Sequence, residues 1–199
     1  MDYAKIRHNF ENHGFSTQFF STAEEARDYL VATLDRQTIG FGGSVTLREL
    51  GLFEALQERN AVVWHDKVKA ASHEIRRLAH DASVYISSVN AVAETGQLVN
   101  IDGTGNRVAA TAFGPRICYY VVGKNKITPT LAEAMDRAKN VAAPQNAKRL
   151  RRKTPCARLG DKCYNCNTPE RICRMTVIVD RAPYGMQSEI VFIDQDLGL

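Results

Sequence analysis

Apolar positions along this chain alternate between two spacings. Short runs of apolar and β-branched residues at 38–41, 61–64, 84–87, 98–101, 117–122, 176–179 and 190–193 predict strands. Between them, apolar residues recur at helical spacing. Ser21, Thr22, Ala23 and Glu24 form a capping-box pattern that predicts a helix to about Leu34, with Ala26, Tyr29, Leu30 and Ala32 on it. Thr46 and Glu49 form a second such pattern, predicting a helix to about Glu58. Further helices are predicted over 72–79 and 130–141, the latter entered through Thr128 and Pro129. The run ICYYVV at 117–122 is apolar throughout, as expected of a strand covered on both faces. Strands separated by helices of this length predict an α/β fold with a mainly parallel sheet and helices on both faces.

Composition narrows this picture without changing it. The chain has 199 residues, 44% hydrophobic and 24% charged, as expected of one globular domain over 1–199. No apolar run approaches the length of a membrane span, and the polar start MDYAKIRHNFENHG lacks the apolar centre of a secretory signal. A cytoplasmic location is therefore expected. The formal net charge of +4 is uneven. Nine basic residues fall between Lys148 and Arg174 against Asp161 and Glu170 alone, so the remainder of the chain is net acidic.

Four of the five cysteines share that basic region, in the segment CARLGDKCYNCNTPERIC. Cys163 and Cys166 are spaced to grip one centre from a single turn, and Cys156 and Cys173 approach from either side. Pro155, Gly160 and Pro169 disfavour a continuous helix and favour a loop over 154–174. In a reducing compartment, four thiolates at this spacing point to a metal or cluster in preference to disulfides. Zinc and an iron–sulfur cluster both suit such ligands, and the local positive charge offsets either. Cys118, within ICYYVV, is expected in the core.

Other candidate groups lie at turns. Gly42, Gly43 and Ser44 separate a strand from a capped helix, where glycines admit close backbone approach to an anion or simply make a tight turn. The spacing fits neither a dinucleotide fingerprint nor a phosphate loop. Glu94, before Thr95 and Gly96, is a lone carboxylate among small and apolar residues, suited to a nucleophile, a general base or a turn cap. Asn106 and Arg107 offer either a charged fork for a carboxylate or phosphate or a surface ion pair. His65 follows a strand end, where functional groups often sit, whereas His73 and His80 are too far apart to chelate together.

The stretches GFGGSVTLRELGL (40–52), NAVAETGQLVNIDGTGNRVA (90–109), VVGKNKI (121–127) and NAKRL (146–150) together resemble the lactate-utilisation (LUD) domain family. The tail TPCARLGDKCYNCNTPERICR is similar to that of its stand-alone branch. The resemblance implies a three-layer α/β/α fold like that of sugar-phosphate isomerases and CoA transferases. It implies a redox-associated role in lactate or related 2-hydroxy-acid utilisation. It also favours a [4Fe–4S] cluster over zinc at Cys156, Cys163, Cys166 and Cys173. Gly42, Gly43, Ser44, Gly96, Asn106 and Arg107 are then expected to line one ligand cleft. Glu94 falls where CoA transferases of this fold carry a catalytic carboxylate, in a different surrounding motif. The alternative is a CoA-transferase- or isomerase-like enzyme with structural zinc. The implied partners are a small anionic metabolite and a redox partner protein, with homo-oligomerisation left open. Nucleic acid is disfavoured, because few aromatics interleave with the basic run.

Overall fold

A computed structural model describes residues 1–68 and 73–199. The chain begins α1 (Tyr3–Asn12), β1 (Ser16–Phe20), α2 (Ala23–Thr33), β2 (Thr38–Phe41), α3 (Val45–Glu49), α4 (Leu52–Leu56) and β3 (Ala61–Trp64). It continues α5 (His73–His80), β4 (Val84–Ser87), β5 (Ala91–Ala93), β6 (Leu98–Asp102), α6 (Asn106–Ala110), β7 (Ile117–Gly123) and β8 (Ile127–Thr128). Then come α7 (Leu131–Arg137), α8 (Ala143–Arg149), α9 (Pro155–Leu159), β9 (Met175–Val179) and β10 (Gln187–Ile193). Ser72, the predicted start of the fourth-strand-side helix, lies outside the described residues.

The larger sheet has six strands in the order β1-β10-β7-β4-β2-β3, and every pairing in it is parallel. Alternate residues of each strand serve opposite faces. Tyr119, Val121, Val191 and Ile193 meet α2, α3 and α4 on one face. Cys118, Tyr120, Val122, Ile190 and Phe192 meet α1 and neighbouring elements on the other. Each fully buried Leu, Ile or Phe here contributes roughly 1.5–3 kcal/mol. The predicted mainly parallel sheet between helical layers is what forms.

The strands do not all join it. β8, β5, β6 and β9 make a second sheet, with β5–β6 and β6–β9 antiparallel and β5–β8 parallel. Val92 and Leu98 face the larger sheet's core, while Ala91, Ala93 and Val99 pack against Ala134 and Ala138 at α7. Two-sided burial of so short a strand as β5 is possible because alanines admit the helix closely.

Both predicted capping boxes move. In α2 the cap is Thr22, whose hydroxyl accepts the Glu25 N–H, and the Glu25 carboxylate accepts from the Thr22 and Ser21 amides. In α3 the cap is Ser44, which accepts from Leu47 N–H. Thr46 and Glu49 are spent on tertiary partners instead: Thr46 on Lys126, and Glu49 on the Gly198 amide. The predicted 46–58 helix is also broken, by Gly51 at φ +63°. Conversely, the predicted 130–141 helix runs on. Residues 138–142 form a π-helical turn leading into α8, where Pro144 lies in the first turn and its missing N–H costs no helical bond.

Candidate active site: a cationic cleft beside the cysteine segment

Parallel sheets place their ligand sites beyond the carboxyl ends of their strands. Here the segments after β2, β3, β4, β6 and β7 enclose a cavity of about 350 Å³, with α8 closing one side. Four arginines line it (Arg76, Arg107, Arg149 and Arg152), with the amine of Lys126, against two side-chain carboxylates, Asp66 and Asp102. The lining is therefore positive and suits a small anion.

The glycine turn does structural work at this rim. A Cβ on Gly42 would lie 2.6 Å from Ser87 Oγ and 3.2 Å from Arg107 Cγ, so only glycine lets the Arg107 stem pass. A Cβ on Gly43 would lie 3.3 Å from His65 Nε2. Gly43, Ser44, Asn106 and Arg107 line the cleft, and Gly42 supports it from behind.

Arg107 behaves differently from a waiting fork. Its Nε donates to Asp102 Oδ2 at 3.2 Å, Nη1 to the Ser88 carbonyl at 3.2 Å, and Nη2 to Asn90 Oδ1 and the Ile101 carbonyl at 3.2 and 2.7 Å. Asp102 Oδ1 accepts from the Thr104 and Gly105 amides. Most of the guanidinium's donors are consumed in joining β4, β5 and β6 ends, so Arg107 braces the wall and lends it charge.

Lys126 forms another part of the lining although only 3% of it is exposed. Its Nζ donates to Thr46 Oγ1 at 2.7 Å and Ser88 Oγ at 2.8 Å. Burial pulls its pKa down to about 7, helped by the positive fields of Arg137 and Arg107 and opposed by Glu49. His65, mostly buried, is also held below the usual histidine range by burial, against the pull of Asp66, so its ring is neutral at neutral pH. Its Nδ1 has no hydrogen-bond partner among the described residues.

Glu94 and Gly96 are not brought to the cleft. The Glu94 carboxylate lies 3.4 Å from Lys5 Nζ, and its carbonyl accepts from Asn9 Nδ2. Gly96, at φ +104°, packs against α1, where a Cβ would lie 2.9 Å from His13 Nδ1. The turn holding both thus anchors the second sheet to α1.

The four clustered cysteines are free thiols, and all four border one small cavity of about 10 Å³, the space of about one water. Ala143, Pro144, Ala147 and Ile172 supply apolar wall, with Lys139 and Arg171 at its margin. The expected loop begins instead with the helix α9, which carries Cys156 and is capped by Thr154. Arg171 donates to the carbonyls of Cys166 and Cys173 at 2.7 and 2.8 Å, tying the two arms together. A hydrogen bond from Thr168 holds the Cys166 thiol below the usual range. Among the described residues, no group of three or more His, Cys, Asp or Glu side chains stands at metal-holding spacing. In kind, soft donors in an apolar, cation-flanked cradle fit an iron–sulfur cluster or zinc. Cys118 is fully buried, and burial pushes its thiol up to about 12, leaving it inert in the core.

Ala143 and Ile172 line both cavities. The Arg174 amide donates to the Asp102 carbonyl at 2.9 Å, and a Cβ on Gly103 would lie 2.7 Å from the Ile172 carbonyl. The cysteine segment is thus a wall of the cleft. Lys126, Ser88 and Asp102 belong to no catalytic motif; all three follow an apolar strand, and Lys126 and Asp102 fall within the stretches 121–127 and 90–109.

Among the described residues, no helix is long and apolar enough to cross a membrane. Among solved structures, a DUF162 family protein from Deinococcus radiodurans aligns over 97% of this chain and 99% of its own, at TM-score 0.53 and 15% identity, a likeness of fold. Ribose 5 phosphate isomerase A from Neisseria gonorrhoeae aligns over 56% of this chain and 57% of its own, at 16% identity and TM-score 0.35, too slight to weigh. No curated protein matches the chain. The LUD domain family matches over residues 3–193, nearly the whole length that builds the sheet, the cleft and the cysteine segment, and the chain belongs to that family, which is associated with lactate utilisation.

Proposed function

We propose that this protein is a redox-associated component of lactate or related 2-hydroxy-acid utilisation. Its cleft takes the small anionic metabolite, and Cys156, Cys163, Cys166 and Cys173 hold an iron–sulfur cluster of the [4Fe–4S] type. The observation that carries this reading is the shared wall: Ala143 and Ile172 face the cationic cleft on one side and the four thiols on the other. When bound, such a cluster supplies one-electron exchange with a redox partner protein.

The chain's own residues do the rest. The cationic lining neutralises the metabolite's carboxylate, and Arg107 keeps that lining in register by holding Asp102, Ser88 and Asn90 together. His65, neutral at the rim, is suited to accept a hydroxyl proton. A CoA-transferase-type reaction through Glu94 is less well supported, since that carboxylate is paired with Lys5 outside the cleft.

The test is purification without oxygen, followed by iron, acid-labile sulfide and zinc analysis and visible spectroscopy. Stoichiometric iron and sulfide, with a broad brown absorption that dithionite bleaches, is the expected result. A colourless protein carrying zinc overturns the redox reading in favour of the enzyme with a structural metal.

A further inference from the structure

Lys126 has a setting that neither anion binding nor a cysteine-held centre requires. An ordinary cation for a carboxylate is best left protonated and solvated at a rim. This one is buried at the cleft wall, with Nζ fixed between two hydroxyls, Thr46 Oγ1 at 2.7 Å and Ser88 Oγ at 2.8 Å. Thr46 sits in α3 and Ser88 follows β4, so the nitrogen is held from two sides of the sheet end. Ser88 itself lines the cleft. The charged groups that act on the amine are Arg137, Arg107 and Glu49. Arg137 is fixed on the carbonyls of Asn125 and Asn90, and Arg107 on Asp102 and the Ser88 and Ile101 carbonyls.

We propose that Lys126 condenses with the carbonyl carbon of a 2-oxo acid bound in the cleft, forming an imine at Nζ. The inference rests on the cleft as a carboxylate site, and it extends that site's ligands from hydroxy acids to the oxo acids that oxidation of a hydroxy acid yields. In the step, the nitrogen lone pair adds to C2 and the carbonyl π electrons go to oxygen. The two amine hydrogens then leave with that oxygen as water, and a C=N bond remains. Nothing is oxidised or reduced, and no co-reactant is consumed. The lining arginines hold the acid's carboxylate while Thr46 and Ser88 keep the nitrogen aimed. A neutral amine is the reacting form, and the depressed pKa of Lys126, about 7, makes it available at neutral pH.

Reductive trapping tests this on the intact protein. Protein incubated with pyruvate and cyanoborohydride is measured by intact mass and peptide mapping, with lactate as the carbonyl-free control. The expected product is a single adduct heavier by pyruvate less one oxygen, mapped to Lys126, missing with lactate and missing in Lys126→Arg. Adduct yield rises about tenfold between pH 6 and pH 8, as the amine loses its proton. Adducts spread over exposed lysines overturn the proposal. So does calorimetric binding of pyruvate with no adduct at Lys126, which leaves the cleft reading standing. No binding and no adduct removes both.

Discussion

The side chains around the cleft are held by one another, whereas the cysteine segment is held largely through its own backbone. Arg107, Asp102, Asn90 and Ser88 form a closed set of bonds at the sheet end. In the cysteine segment, Arg171 and Arg174 reach the carbonyls of Cys166, Pro169, Arg171 and Cys173. Among the described residues the sulfurs of Cys156, Cys163 and Cys166 meet the Thr154 hydroxyl, the Asn165 amide and the Thr168 hydroxyl. The difference teaches that the first site is shaped before its ligand arrives, which lowers the ordering cost of binding. On the proposed reading, the second takes its final shape when its thiols grip the cluster, as metal-organised segments do.

This contrast breaks most sharply at Gly40. A Cβ there would fall 1.8 Å from the Ala79 carbonyl oxygen, so Gly40→Ala forces α5 off the sheet beneath the cleft. A loss on the order of 4 kcal/mol or more, seen as insoluble or unfolded protein in circular dichroism, is expected.

Lys126 gives the next largest effect, and its sign follows from protons bound. The folded amine titrates near pH 7 and the unfolded one near 10.5, so between these values the unfolded chain binds more protons. The Lys126 contribution to stability therefore rises with pH across that window, by on the order of 4 kcal/mol, and is absent below about pH 7. Above about pH 9 the Cys118 thiol, pushed up to about 12, works against it, so the rise is read between pH 7 and pH 9. Urea melts of the wild type show the rise, and Lys126→Met flattens it.

Arg107→Leu strands Asp102, whose side chain is 9% exposed, leaving it only its two backbone amides. A loss of about 3 kcal/mol in urea melts and of anion binding in calorimetry is expected. Cys156→Ser sharpens the other side of the comparison. It leaves the unfolding free energy of metal-free protein in urea melts within about 0.5 kcal/mol, because the residue is outside the core, while iron content falls to background. Glu94→Gln removes one ion pair with a lysine more than half exposed, and costs about 0.5 kcal/mol with anion binding unchanged.

The strands most legible in the sequence were the ones with continuous apolar runs between turn residues. β2, β3 and β4 fall where the pattern puts them. β1 carries Ser16, Thr17 and Gln18 at the sheet's edge, and α1 offers only Ile6 and Phe10 as buried anchors, so neither stood out. β5 is three residues long and buried through alanines, a signal too short for any period. The capping boxes misled because a threonine or glutamate at helix-start spacing is equally free to bond elsewhere, as Thr46 does with Lys126. Within the site, Gly43, Ser44, Asn106 and Arg107 were recognisable as turn residues, and the structure gathers them. Lys126 was not, because its character comes from burial in the fold and from Arg137, Thr46 and Ser88, none of them adjacent to it in sequence.

β10 occupies an inner place in the larger sheet, between β1 and β7, although its residues follow all the other strands in chain order. During synthesis, β1 therefore waits without its neighbour while more than a hundred and fifty residues emerge behind it. The thiols leave the ribosome inside that interval, ahead of the strand that completes the scaffold.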